Sequence, residues 1–282
     1  MLITISDGIT QAEISTLGAE LRSLRLGGRE LLWCRDPKIW DGSAMVLFPF
    51  IGRCHGDSYL LNGKPYPMGL HGFGWKKEFV LAEQGRSNCV LELTDSADTR
   101  EVYPFSFTLQ VEFSLEQAQL RIRFTVKNRS SVPMPFALGW HPGFQLEGPP
   151  EHYRVRFGAR SLEEVKIVTK CMVTGETAPM PLEDGGLVLD RKLFLHSARV
   201  FRAPGEEATV EDWEGNVLAR LTFPGFANVA LWQTLGSGAE FICVDPWLTR
   251  PGRFDVAEEL GADDKTILAP GEVFRREIFV GV

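Results

Sequence analysis

The segment FTLQVEFSLEQAQLRIRFTVKN, residues 107–128, constrains the fold more than any other stretch of this chain. Phe107, Leu109, Val111, Phe113 and Leu115 alternate with polar residues, and after the short polar EQAQ the pattern resumes at Leu120, Ile122, Phe124 and Val126. Successive side chains of a strand point to opposite faces, so a period of two on both arms predicts an antiparallel hairpin with one buried face. Such a face must be covered by a second layer built from the rest of the chain.

Shorter β-like stretches supply that layer: Leu2–Ile5, Val90–Leu93, Tyr153–Phe157, Val217–Phe223, Val229–Gln233, Phe241–Val244 and Glu272–Val280. Helical spacing is scarce. Segments such as LNGKPYPMG, EGPPEH, EDGG, FPGF and LAPGE carry turn chemistry, Gly supplying positive φ and Pro fixing it, and they interrupt any long helix. The expectation is an all-β fold, a large antiparallel β-sandwich, formed by residues 1–282 as a single domain. No fixed-period repeat, low-complexity segment or linker-like shift in composition argues otherwise.

The composition, 44% hydrophobic and 24% charged, provides for a large core and gives no argument for disorder. A formal net charge of −7 with no long run of Lys or Arg leaves nothing to neutralise a phosphate backbone, so nucleic acid is not expected as a partner. The N-terminal MLITISDGITQAEI lacks the layout of a signal peptide, and no apolar run reaches membrane-spanning length. A cytoplasmic protein without membrane association is expected. Cys34, Cys54, Cys89, Cys171 and Cys243 are odd in number with no CxxC pair, and read as reduced core or near-core thiols.

His55, His152 and His196 lie in polar or turn-rich surroundings and read as surface residues. His71 in GLHGFGW and His141 in LGWHPGF are set instead among Gly, Trp and Phe, an apolar wall that a ligand can approach closely. Each is open to two readings: a core imidazole bonded to a backbone carbonyl, or a proton-transfer group suited to neutral pH.

Asp245 in FICVDPWLTRPG follows the apolar run Phe241–Val244, which places a carboxylate at a sheet rim or, alternatively, a cap on the turn before Pro246. Arg53 in FPFIGRCHGD offers a fork of donors for hydroxyl oxygens, or is an ordinary ion-pairing arginine. Trp33, Trp40, Trp75, Trp140, Trp232 and Trp247 add flat rings. Rings beside hydrogen-bonding groups suit a sugar, with apolar C–H faces and polar edges, although core packing accounts for tryptophans equally well. Trp140, Trp232 and Trp247 are the candidates for substrate contact. Arg250 and Arg253 in LTRPGRF suit a phosphorylated sugar, or serve only as exposed loop charges.

In order along the chain, LGAELRSL, ELLWCRDPKIW, LFPFIGR, LHGFGW, YPFSFTLQVEFSL, MPFALGWHPGF, VALWQT and FICVDPW resemble the aldose 1-epimerase (galactose mutarotase) family, in its shorter bacterial branch. The resemblance implies the large antiparallel supersandwich of the galactose mutarotase type, and interconversion of the α and β anomers of a free aldose. That reaction needs a base at the C1 hydroxyl and an acid at the ring oxygen, and no metal or cofactor. By similarity His141 is the general acid and Asp245 the base, with Arg53 and His71 positioning and polarising the sugar. Asp245 stands where the family usually has Glu, shorter by one C–C bond or about 1.5 Å. Either its segment sits closer to the sugar, or the activity is altered or lost.

Three other functions compete. A carbohydrate-binding or sensor protein keeps the pocket without the chemistry. Glycoside hydrolysis asks for paired carboxylates, and only one acid is well placed. A zinc site of His71, His141 and Asp245 has enough ligands but no short spacing to support it, so no metal is expected. The expected partner is a small sugar, and the expected assembly a monomer or weak homodimer.

Overall fold

The hairpin forms where the alternation places it, from the strands Phe107–Glu116 and Gln119–Asn128, registered from Phe107↔Asn128 to Glu116↔Gln119. The computed structural model describes residues 1–282 apart from 160, 169, 196, 197, 235–239, 263 and 264. Its turn is two residues, Gln117 and Ala118, with φ of 53° and 61°. Positive φ at both positions matches the right-handed twist of the flanking strands, so the turn closes tightly without the usual Asn-Gly.

Among the described residues this hairpin lies within a nine-stranded antiparallel sheet whose edges are Gly186–Val188 and Val80–Gln84. A seven-stranded sheet runs in the order Met172–Pro181, Ser161–Val168, Arg199–Arg202, Asn228–Trp232, Phe241–Trp247, Gly139–Gln145 and Ala44–Leu47. One hydrophobic cluster takes Phe107, Leu109, Val111 and Phe113 from the first sheet and Val46, Trp140, Phe144, Ile242 and Val244 from the second. The fold is therefore an antiparallel β-sandwich, as predicted. Helix is confined to short pieces, of which the α-helix Ala97–Val102 is closed by a Ser96–Thr99 capping box.

The strand expected at Phe241–Val244 runs on to Trp247, with Pro246 inside it. Proline has no N–H to give to a ladder, which is why the sequence suggests an end there. Its neighbour Gly139–Gln145 carries Pro142 in the same way. The two strands are registered at Gly139↔Trp247 and Gly143↔Cys243 on either side of these prolines. Asp245, expected at a sheet rim, thus sits with His141 within paired strands, the fifth and sixth of the seven in sheet order.

The seven-stranded sheet uses both faces. Trp140, Phe144, Ile242 and Val244 enter the main core, whereas Leu47, Trp247, Ala230 and Val200 build a second cluster on the opposite face. The five cysteines are unbridged, and Cys34 is exposed rather than near the core. His55 and His152 are exposed as expected, while His196 lies outside the described residues. Among the described residues no helix is long and apolar enough to cross a membrane.

Candidate active site

The outer face of the seven-stranded sheet is the floor of a cavity of about 500 Å³ lined by His71, His141, Asp245, Trp232 and Trp247. A small-molecule site commonly has this size and this apolar lining with few polar groups. Trp40, Asp41, Met45, Leu70, Trp75 and Cys171 complete the walls. Of these wall residues, Trp40, Asp41 and Trp75 come from segments between strands and from a short 3-10 turn.

The register sets His141 directly opposite Asp245, because it lies midway between the pairs Gly139↔Trp247 and Gly143↔Cys243. His141 Nδ1 and Asp245 Oδ1 are 3.2 Å apart, and the side chains are 9% and 1% exposed. The contact has ion-pair distance without hydrogen-bond alignment, so each of the two atoms is buried with no aligned partner. Burial raises the Asp245 carboxyl above the usual carboxylate value, and the neighbouring His141 offsets only part of that.

Glycines flank His141 at Gly139 and Gly143, on the same face of the strand. A methyl at Gly139 would lie 2.7 Å from Trp247 Cδ1, and one at Gly143 would lie 2.6 Å from Trp40 Cζ3. The two missing side chains therefore admit the two indoles on either side of the imidazole. Trp40 stacks on His141 at 5.2 Å between ring centroids, and Trp232 meets it edge-on at 5.7 Å. Trp40 is held in turn by the Trp33 indole, which donates to the Trp40 carbonyl at 2.9 Å.

His71 reaches the same floor from a loop, its ring 5.8 Å from that of His141. His71 and Gly72 have φ of 57° and 70°, a left-handed pair that folds the loop sharply. The turn is clamped to the segment before it, since Phe73 and Gly74 both donate to the Phe48 carbonyl and His71 donates to the Gly52 carbonyl. The Gly52 N–H donates back to His71 Nδ1 at 3.0 Å. An accepting Nδ1 puts the proton of a neutral imidazole on Nε2. Burial holds His71 well below the ordinary histidine range, and His141 and the Arg53 cation push the same way. His71 is therefore a neutral hydrogen-bond donor.

Arg53 and Trp140 do not line the cavity. The Arg53 guanidinium pairs with Asp57 at 2.8 Å and bears on the site through its charge. Trp140 is fully buried in the main core. As the strand neighbour of His141 it must face the other way, so the expected sugar contact by Trp140 is corrected. Arg250 and Arg253 line a separate, smaller pocket with Glu258 and Lys265, and Arg253 pairs with Asp255 at 2.8 Å.

Trp40, Asp41 and Cys171 line the site in addition to the residues expected from the sequence. The signal for the first two is the aromatic–acid–glycine run Trp40-Asp41-Gly42 just before a strand. Asp41, held by Arg35 at 2.8 Å, brings an exposed carboxylate to the cavity wall. Cys171 has no local signal. Its thiol is pushed up to about 12 by burial, with Asp245 adding to the shift and Arg53 opposing it.

A family model described as aldose 1-epimerase matches residues 1–279. The chromosomal LacX protein of Lactococcus lactis is 30% identical over 264 residues, covering 88% of this chain and 87% of LacX. A galactose mutarotase-like protein from Lactobacillus casei superposes with a TM-score of 0.93 at 26% identity, covering 100% of this chain and 99% of that one. A galactose mutarotase related enzyme from Lactobacillus acidophilus gives 0.92 at 26% identity, covering 100% and 97%.

Proposed function

The chain belongs to the aldose 1-epimerase family, and from that footing we propose that it interconverts the α and β anomers of a free aldose. One observation carries the reading: a carboxylate and an imidazole face each other at 3.2 Å on the floor of an aromatic-walled cavity. Proton removal at one oxygen and delivery at another is the work such a pair does.

In this reaction Asp245 takes the proton of the C1 hydroxyl as His141 delivers one to the ring oxygen. The C1–ring oxygen bond breaks, giving the open-chain aldehyde. Rotation about C1–C2 presents the other carbonyl face, and reclosure returns both protons with the roles exchanged. The raised carboxyl of Asp245 makes it a stronger base than an exposed aspartate. His71 donates from Nε2 to a sugar oxygen without competing for the protons being moved, kept neutral by burial first, with His141 and the Arg53 charge acting in the same sense. Trp40, Trp232 and Trp247 meet the C–H faces of the sugar, and Asp41 meets its distal hydroxyls. The walls are neutral or acidic, which suits an unphosphorylated aldose.

Polarimetry or NMR exchange on freshly dissolved aldoses and hexose phosphates tests the proposal. Acceleration over the buffer rate supports it, and equilibration of every sugar at the buffer rate overturns it. The His141–Asp245 contact also fits a second reading, a carbohydrate-binding protein in which the short acid serves the imidazole rather than the sugar. Calorimetric sugar binding with no mutarotation selects that reading.

A further inference from the structure

Cys243 precedes Asp245 by two residues on one strand, so the two side chains share a face, and it pairs with Gly143 as Asp245 faces His141. Three corners of this square carry ligand atoms, His141 Nδ1, Cys243 Sγ and Asp245 Oδ1, all within 4.8 Å of one another and all buried. The fourth corner is a glycine. Two of the three atoms, His141 Nδ1 and Asp245 Oδ1, lie 3.2 Å apart with no aligned hydrogen-bond partner, in side chains at least nine-tenths buried. Buried polar atoms left in this state call for a partner.

We propose that His141, Cys243 and Asp245 form a binding site for a borderline divalent cation such as Zn²⁺, and that occupancy silences the enzyme. A nitrogen, a sulfur and an oxygen are the donors zinc accepts, at bond lengths of about 2.0–2.3 Å. Ligand atoms around a tetrahedral ion of that size stand about 3.3–3.8 Å apart, so side-chain adjustments of about 1 Å close the cluster. The Cys243 S–H bond breaks as the S–Zn bond forms, and the proton leaves to solvent. Thiolate and carboxylate then neutralise the ion, leaving no net charge in the buried cluster. Two of the three ligands, His141 and Asp245, also line the cavity. His71 is no ligand here, because its Nδ1 is engaged by the Gly52 N–H.

Binding depends on the cluster alone, whereas inhibition rests on the proposed mutarotation, since the ion occupies the two groups that move protons. The test is titration of the purified full-length protein, carrying Cys34→Ser to remove an exposed thiol, with Co²⁺ and then Zn²⁺ in competition. The expected result is saturation at one ion per chain, with a thiolate-to-cobalt charge-transfer band that Zn²⁺ abolishes and release of one proton per Zn²⁺. Cys243→Ala and the near-isosteric Cys243→Ser should lose the band and bind at least about 100-fold more weakly. Both should keep the metal-free mutarotation rate and resist Zn²⁺, while the parent is inhibited and recovers with chelator. Absence of the band in the parent, or its loss with Cys171→Ser instead of the Cys243 variants, overturns the site. Tight binding by a protein that never accelerates mutarotation keeps the site and removes only the proposed activity.

Discussion

His141 and Asp245 face each other across two adjacent antiparallel strands, at 3.2 Å and almost wholly out of solvent. Their separation is set by sheet geometry, since neighbouring strands hold opposed side chains at a fixed distance. Lengthening one partner therefore cannot be absorbed by a loop. Asp245→Glu moves the carboxylate by about 1.5 Å. We expect kcat to fall about 10- to 100-fold, because misplacement of about 1 Å costs on that scale. Mutarotation rates across both variants check this, and a faster Glu enzyme would show the short acid to be a handicap. His141→Asn should reduce the rate to that of buffer with the fold intact by circular dichroism.

The raised carboxyl of Asp245 has a signature in both rate and stability. As the pH falls through that raised value the base is protonated, so kcat/KM should decline at a pH above the ordinary aspartate value of about 3.9. For stability the sign is opposite to that of a salt-bridged acid. The folded state holds the proton more tightly than the unfolded one, so stability is greatest below the unfolded value and falls as pH rises toward the folded value. Asp245→Asn, which stays uncharged, should melt a few degrees higher than the parent at pH 7 and lose that advantage near pH 4. Thermal unfolding at the two pH values measures it.

His71 should not titrate in the ordinary histidine range. Burial and its charged neighbours depress it, and Nδ1 is already an acceptor from the Gly52 N–H. Nitrogen-detected NMR should show the Nε2–H tautomer unchanged from pH 8 to 5.5, and a doubly protonated ring within that window would contradict the assignment. His71→Ala should cost about 1–3 kcal/mol in stability by leaving the Gly52 N–H unpaired in the interior.

Gly143→Ala tests the placement of Trp40. The new methyl would lie 2.6 Å from Trp40 Cζ3, so the indole must leave its stack on His141. Overpacking of this kind costs about 1–3 kcal/mol. We expect KM to rise about tenfold, together with a change in intrinsic tryptophan fluorescence. Unchanged KM and emission would show that Trp40 contributes nothing to binding.

The sandwich was legible because residues 107–115 and 120–126 alternate on either side of one short polar turn, and period two over both arms admits one reading. His71 and His141 were legible from their glycine- and aromatic-rich settings, Asp245 from the apolar run it follows, and Trp232 and Trp247 as rings suited to a sugar, and all five meet at one cavity. The errors have physical causes. Pro246 and Pro142 hide two strands that continue through them, so Asp245 was assigned to a rim. Trp140 was grouped with His141 by adjacency, although adjacent strand residues cannot face the same ligand. Trp40, Asp41 and Cys171 escaped because they join the site through tertiary folding, from segments outside the strands that carry His141 and Asp245, which local pattern does not encode.

The floor of the cavity is made of paired strands, and much of its wall is contributed by Trp40, Asp41, Leu70 and Trp75 from other segments. On the proposed function, reactivity and selectivity then reside in parts of the molecule that can drift independently. On the proposed mutarotation, one sugar can be exchanged for another by revising the wall, at little risk to the His141–Asp245 pair. The converse freedom does not exist. A single-residue insertion between Gly139 and Trp140 would carry the imidazole into the main core and push Trp140 into the cavity, cancelling packing and chemistry in one stroke.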